Sequence, residues 1–300
     1  MVSNAHPLDS ELRLVLFTSA QDFVQEVEPF DDEFMNFGLG MVMDTFKGTK
    51  TGTFHGSAGL NSHSTGGTFA AVFEGERLVL TITHTTELPH LLSYPTTVSL
   101  SLLALACALL AASLDLASIR QLWGPKEAIA ALLDAAPSLH AAPPTFTEIA
   151  CSASLKTLLL PSSPSRGPGD EANTGCHYEI CFARDGDTLP LVDLACAFSA
   201  RSRWPSPPSH VVLDNLRDAI AARALYVIRA YQSGDQTVAE QYDLAGYLLL
   251  GRNTPRSASI RNVFVAPEHR RRGLAEIMVR SVTRVCLGAP DPGLAEAWRV

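Results

Sequence analysis

SIRNVFVAPEHRRRGLAEIMV, Ser259 to Val279, begins with a β-rich run and ends with apolar residues at helical spacing. Between them stand Arg270, Arg271 and Arg272, directly before Gly273, in a 300-residue chain whose formal net charge is -8. A basic run inside an acidic protein is either a solvated surface or a seat for an anion. The position at a strand-to-helix junction favours the seat. Backbone N–H groups at a helix start have no partner within the helix and carry partial positive charge. Gly273 allows close backbone approach and Ala275 keeps the first turn uncrowded. From Arg252 to Arg284 there are eight arginines against Glu268 and Glu276. A polyanionic small molecule is the economical occupant.

The segments leading up to this stretch predict an ordered series. HYEICFA (His177 to Ala183) alternates as a strand, and DTLPLVDLACAFSA follows with helical spacing. VVLDNLRDAIAARA, Val211 to Ala224, places apolar residues at 212, 213, 216, 220 and 224, one face of a second helix. Three strand candidates succeed it, at 225–231, 243–252 and 257–266. A last helix from about Arg272 to Leu287 ends at Gly288, a common terminator.

These residues resemble the GNAT superfamily of acyl-CoA N-acyltransferases. That family's Gln/Arg-x-x-Gly-x-Gly/Ala signature reads here Arg270, Arg271, Arg272, Gly273, Leu274, Ala275, and Val263, Phe264, Val265 and Pro267 fit its preceding strand and turn. The resemblance covers roughly residues 177 to 288. It implies an α/β fold with a mixed sheet flanked by helices, and acetyl-CoA as co-substrate with no metal. Backbone amides around Val263, Phe264 and Val265 would hold the pantetheine arm and polarise the thioester carbonyl. Amides from Arg271 to Ala275 would cradle the pyrophosphate, with the arginine side chains adding charge. The implied reaction moves an acetyl group to a primary amine, expected to be that of a small molecule. The alternative is a catalytically silent acyl-CoA-binding protein, or a truncated and inactive acetyltransferase product. Family members continue past the signature helix with a strand, a helix and a final strand. This chain carries APDPGLAEAWRV there, so the expectation is truncation. No general base or acid is identified, since SASIRNVFV has no carboxylate.

PSSPSRGPGDEANTG, Pro161 to Gly175, is rich in Pro, Ser and Gly and reads as a linker. The expected organisation is an N-terminal α/β domain over 1–160, a linker over 161–175, the acetyl-CoA-binding domain over 176–288 and a divergent tail over 289–300. In the N-terminal half, FAAVFEGERLVLTITHT (Phe69 to Thr85) predicts a hairpin about Gly75. A long apolar helix candidate follows within Leu91 to Leu114. Next come a strand in SIRQLWG, a helix opening at Pro125, and a strand candidate over 146–160. On element order this half reads as a degenerate GNAT-like copy without the signature. KGTKTGTFHGSAGLNSHSTGG, Lys47 to Gly67, predicts a loop, because its glycines lack phosphate-loop spacing.

Composition limits the remaining choices. Hydrophobic residues at 46% and charged residues at 18% fit a folded globular chain. The acidic balance provides no overall attraction to nucleic acid. Six cysteines without CxxC or Cys/His zinc spacing read as reduced thiols of a cytoplasmic protein. The uncharged run Leu91 to Leu114 is long enough to span a membrane, but its serines, Pro95 and the lack of flanking basic clusters favour a core helix. His84 and His90 could face one another, and read as ordinary surface or core histidines. Tyr247 reads as a packing residue beside the proposed acyl site, and SRWPSPPSH, Ser202 to His210, as a plain loop.

Overall fold

The computed structural model describes residues 11–32, 35–46, 67–85, 89–116, 119–139, 151–154, 156, 176–201, 207–232 and 242–289. The predicted loop at 47–67, apart from Gly67, lies outside these residues, as do the linker at 161–175, most of the strand candidate at 146–160 and the tail beyond Ala289. Two compact units emerge, one on each of two sheets. Both are mixed α/β layers with helices on the sheet faces.

The first unit builds β1 (Leu12–Phe17), α1 (Ala20–Val27), α2 (Leu39–Phe46), β2 (Thr68–Glu74), β3 (Arg77–His84), β4 (His90–Ser93), α3 (Leu100–Ser113), β5 (Leu122–Trp123) and α4 (Lys126–Ala135). Its sheet has the order β1-β2-β3-β4-β5, antiparallel until β5 joins β4 in parallel. The expected hairpin is β2 and β3, turning at Gly75 with φ of 59°. Phe23, Val27, Met35 and Leu39 from the α1–α2 side cover Phe69, Ala71 and Phe73. Leu103, Ala106 and Leu110 of α3, with Ala128 and Leu132 of α4, cover Ala70, Val72 and Ile82 on the opposite face.

The apolar run from Leu91 to Leu114 is not one helix. Leu91 and Leu92 belong to β4, and Pro95 and Ser99 separate that strand from α3. The Ser99 hydroxyl accepts the Leu102 N–H at 3.3 Å, an N-cap that sets where the helix begins. At 14 residues, α3 is about 21 Å long. Among the described residues no helix is long and apolar enough to cross a membrane.

The second unit builds β6 (Cys176–Phe182), α5 (Thr188–Ser199), α6 (Ser209–Ala221), β7 (Leu225–Gln232), β8 (Asp243–Gly251), β9 (Ser259–Val265) and α7 (Leu274–Cys286). The four strands form an antiparallel sheet in sequence order. Period-2 alternation assigns its faces. Val227, Tyr247, Leu249 and Phe264 pack under α5 and α6, while Tyr178, Ile180, Tyr226, Ile228 and Leu248 pack under Leu274, Met278 and Val282 of α7.

β8 and β9 approach closely at Gly246. A Cβ there would lie 2.5 Å from the Phe264 carbonyl oxygen, so the strands can pair only around a residue without a side chain. Gly246→Ala is expected to destabilise the unit by about 1–3 kcal/mol, as overpacking does. Urea denaturation of the variant against the wild type measures the loss.

Candidate functional site

The register of β8 against β9 decides what the edge of the sheet presents. The Ala266 N–H donates to the Ala245 carbonyl at 2.8 Å; Gly246 and Val265 are opposed next, and Tyr247 and Phe264 form the following bonded pair. In an antiparallel ladder, bonded pairs alternate, so Phe264 and Asn262 direct their backbone groups at β8. The N–H and C=O groups of Val263 and Val265 therefore face outward. Leu250 supports this assignment from the far side of β8, where its N–H donates to the Ala224 carbonyl at 2.8 Å. Among the described residues no strand pairs with the outer edge of β9. Arg261 is an extra residue on β9, since Leu249 opposes Asn262 while Leu250 opposes Ile260. Such a bulge increases local twist and re-aims the strand beyond it.

A cleft of about 440 Å³ lies along this edge, lined by Phe198, Arg201, Val263, Phe264, Val265, Arg270 and Ala275. It joins the strand edge to the start of α7. The first backbone bond of α7 runs from the Ile277 N–H to the Gly273 carbonyl at 3.0 Å. Helix geometry therefore leaves the amides of Gly273, Leu274, Ala275 and Glu276 without partners inside the helix. Gly273 occupies the N-cap position and offers no side chain to bond them. Its φ of 72° and the open space around it suit a glycine facing a ligand. Arg271 also has a left-handed backbone, with φ of 60°, which costs a non-glycine residue on the order of 1 kcal/mol or more. Turns with such residues gather successive N–H groups on one side and are suited to anions.

The structure separates the three arginines that the sequence presents as one group. Arg270 donates from Nε to the Val265 carbonyl at 2.9 Å and lies over the Phe264 ring at 5.4 Å, so it is fixed to the strand edge and lines the cleft. Arg272 turns the other way, toward Tyr178 on β6. Arg271 is exposed, and among the described residues no side chain pairs with its guanidinium. Of the three, it is the one left unengaged. Leu274 is buried under the sheet and presents only its amide.

Tyr247 is fully buried, its ring 6.2 Å from Phe264 and 6.5 Å from Phe198. Burial pushes its phenol well above the ordinary value, outweighing the nearby Asn262 side chain, so it stays protonated and packs. Burial likewise raises the Cys107 thiol to about 12 and the Cys181 thiol to about 11, which leaves neither as a thiolate nucleophile at neutral pH. All six cysteines are unpaired, and no cluster of metal-ligating side chains occurs among the described residues. His84 and His90 do face one another, stacked with centroids 4.0 Å apart. Burial and the His84 charge push His90 down to about 4, so the pair is neutral near pH 7.

Sequence reasoning missed a buried ion pair under α5. Asp187 accepts from Arg229 at 2.8 Å, from the Tyr242 hydroxyl at 2.6 Å and from the Arg184 N–H at 2.7 Å. Both charged residues are 1% exposed. The only signal was one arginine within the otherwise apolar LYVIRAY of β7. Asp187→Ala strands the Arg229 charge and is expected to destabilise by about 3–5 kcal/mol, whereas Asp187→Asn, which keeps one acceptor oxygen and the side-chain volume, costs less. Thermal unfolding of the two variants tests that order.

Residues 193–296 match the family model described as the Acetyltransferase (GNAT) family. Among solved structures, the chain is similar to the aminoglycoside N-acetyltransferase AAC(6')-Iy in complex with a bisubstrate analog, with 18% identity and a TM-score of 0.28 over 38% of this chain and 76% of that one. A tandem GNAT protein from the clavulanic acid biosynthesis pathway has 15% identity and a TM-score of 0.40 over 93% and 86% of the two chains. A putative GNAT-family acetyltransferase from Desulfovibrio desulfuricans has 17% identity and a TM-score of 0.27 over 38% and 68%. No curated protein matches. By the family-model match, residues 193–296 carry a GNAT acetyltransferase domain, a family whose members transfer acyl groups from acyl-CoA to amines.

Proposed function

We propose that the second unit, within residues 176–288, binds acetyl-CoA along the edge of β9 and donates its acetyl group to a primary amine of a small molecule. The observation that carries this reading is the continuity of one cleft. Outward backbone groups of Val263 and Val265 lie at one end, and the uncapped start of α7 lies at the other. A pantothenyl chain is an amide-bearing strand mimic, and a strand edge offers it alternating donors and acceptors. An outward N–H of Val263 or Val265 is placed to polarise a thioester carbonyl, whose oxygen gains charge as the amine attacks. In that step a C–N bond forms, the C–S bond breaks, and the amine proton ends on the departing thiolate. The Val265 carbonyl is already occupied by Arg270, which holds the guanidinium where the phosphate-bearing end of the ligand would pass. Phe264 contributes its backbone to the ladder and its ring to the core, so its part is to hold the two valines outward.

Phosphate recognition then falls to the amides from Arg271 to Ala275 and to the Arg271 side chain, with Arg270 and Arg201 adding charge from the cleft wall. Arg272 does not share this role directly. The first domain is read as extending to about residue 160 and as holding no second cofactor site.

Calorimetric titration with acetyl-CoA tests the reading. Saturable binding by the wild type is expected, and its loss in Gly273→Glu, which sets a carboxylate into the seat. A folded wild-type chain that shows no binding would refute it. Arg271→Ala is expected to weaken binding by about three- to tenfold, mostly at low salt, because an exposed charge is screened as ionic strength rises. Repeating the titration at low and high ionic strength measures that dependence.

A further inference from the structure

Tyr178 is buried on the α7 face of β6, and its hydroxyl is the meeting point of two residues from the turn before α7. It lies 3.1 Å from Nδ1 of His269 and is bonded by a terminal nitrogen of Arg272. The His269 ring stands edge-on to the Tyr178 ring, with centroids 5.7 Å apart and planes at 89°. The Arg272 guanidinium lies 5.8 Å from the same ring centroid, and its second terminal nitrogen reaches the Glu268 carbonyl at 3.4 Å. Donor accounting orders the cluster. Arginine only donates, so the Tyr178 oxygen accepts from Arg272 and its own O–H remains to donate. In this arrangement the acceptor is Nδ1 of His269, with the ring neutral and its proton on Nε2, and the Cys176 side chain is a second hydrogen-bonding neighbour of the hydroxyl.

We propose that Tyr178 is a positioning residue for the anion seat: by tying His269 and Arg272 to β6 it fixes the left-handed turn at Arg271 and Gly273, and it makes that seat sensitive to the protonation of His269. The inference rests on the acyl-CoA reading above and extends it to how the seat is held. Without this tie, the strained Arg271 backbone would relax and the amides of the turn would no longer converge.

The sign of the pH dependence follows from the groups facing His269. Burial lowers its pKa below 6.5, Glu268 and Asp243 act to raise it, and Arg272 to lower it. Tyr178 contributes a hydroxyl whose own pKa is raised, mainly by burial, so it remains a donor. Above the His269 pKa the cluster is complete. Below it, Nδ1 carries a proton, the Tyr178 O–H loses its acceptor, and the seat loosens. A bound diphosphate attracts an imidazolium and would act in the opposite direction, so the two effects predict opposite pH profiles.

The test is calorimetric titration of the full chain with coenzyme A at pH 7.5 and pH 5.5, using wild type, Tyr178→Phe and His269→Gln, with thermal unfolding of each. Tyr178→Phe keeps the ring and is expected to bind about tenfold more weakly at pH 7.5, the usual scale for a lost bond to a charged group. The wild type is expected to lose affinity at pH 5.5 by less than about tenfold, because the His269 pKa lies below 6.5, and by more than any loss shown by Tyr178→Phe. His269→Gln, a neutral acceptor at every pH, is expected to bind as the wild type does at pH 7.5 and to keep that affinity at pH 5.5. Wild-type affinity in Tyr178→Phe, equal acid losses in wild type and both variants, or a wild-type gain at pH 5.5 would each overturn the proposal while leaving the acyl-CoA reading intact. Absence of coenzyme A binding by the wild type would overturn both.

Discussion

The arrangement of the second unit depends on the pairing of Tyr247 with Phe264. Because those two residues form a hydrogen-bonded pair of the ladder, Val263 and Val265 on either side of Phe264 turn their backbone groups away from the sheet. A one-residue slip would point Val263 and Val265 inward and bury the wrong side chains. The core prevents that slip. Phe264 packs with Tyr247 and Phe198 under α5 and α6, while Val263 and Val265 lie on the α7 face. Hydrophobic burial on two faces thereby sets the polarity of an edge that carries no charged side chain of its own at these positions. Gly246, pressed against the Phe264 carbonyl, lets β8 come close enough to hold the register.

The turn between β9 and α7 converts that edge into a site with two ends. Its three arginines perform different tasks although they are adjacent in sequence. Arg270 closes back on the strand it has just left, Arg272 reaches across to β6, and Arg271 remains at the surface with a left-handed backbone. Two side chains thus brace the turn, while the third is exposed and the start of α7 meets the cleft at Ala275. The local positive balance of this segment is therefore not all available to an anion. Much of it is structural, spent on carbonyl oxygens and a tyrosine.

The sequence made the element order of the second unit legible because β6 alternates, β7 to β9 are β-rich runs set off by turn residues, and α6 and α7 keep an apolar stripe. The signature loop was legible for the same reason: a β-rich run, a basic turn, a glycine and an amphipathic helix have one simple reading. The first unit was harder. Residues 11–46 yield β1, α1 and α2, yet LRLVLF is short and α2 lacks a polar face, so their periodicity is weak. Leu91 to Leu114 misled because a buried strand and a buried helix are both continuously apolar, and only Pro95 and the Ser99 cap mark the division. Side-chain partnerships left little trace beyond the lone arginine in LYVIRAY. Asp187 and Arg229 lie 42 residues apart, and Tyr178 lies 91 from His269, so neither cluster has a local pattern to read.

Comparing the two units element by element explains why one cleft, rather than two, is assigned to acyl-CoA. Each unit runs strand, two helices, three strands and a helix, with the first two helices on one sheet face and the next helix on the other. At the position of β9, the first unit has β4, but its outer edge is already engaged by β5, with His90 opposite Leu122 and Leu91 opposite Trp123. Gly124 continues that closure, since a Cβ there would meet Leu92 at 2.8 Å. At the position of Gly273, the first unit has Ser99, whose hydroxyl already satisfies a helix amide. No arginine lies between β4 and α3; the connecting residues are Tyr94, Pro95, Thr96, Thr97, Val98 and Ser99. A strand edge occupied by backbone and a helix start occupied by its own cap leave neither half of the seat available. The same framework can therefore be internally satisfied in one unit and left unsatisfied in the other, and the unsatisfied groups are what a ligand would complete.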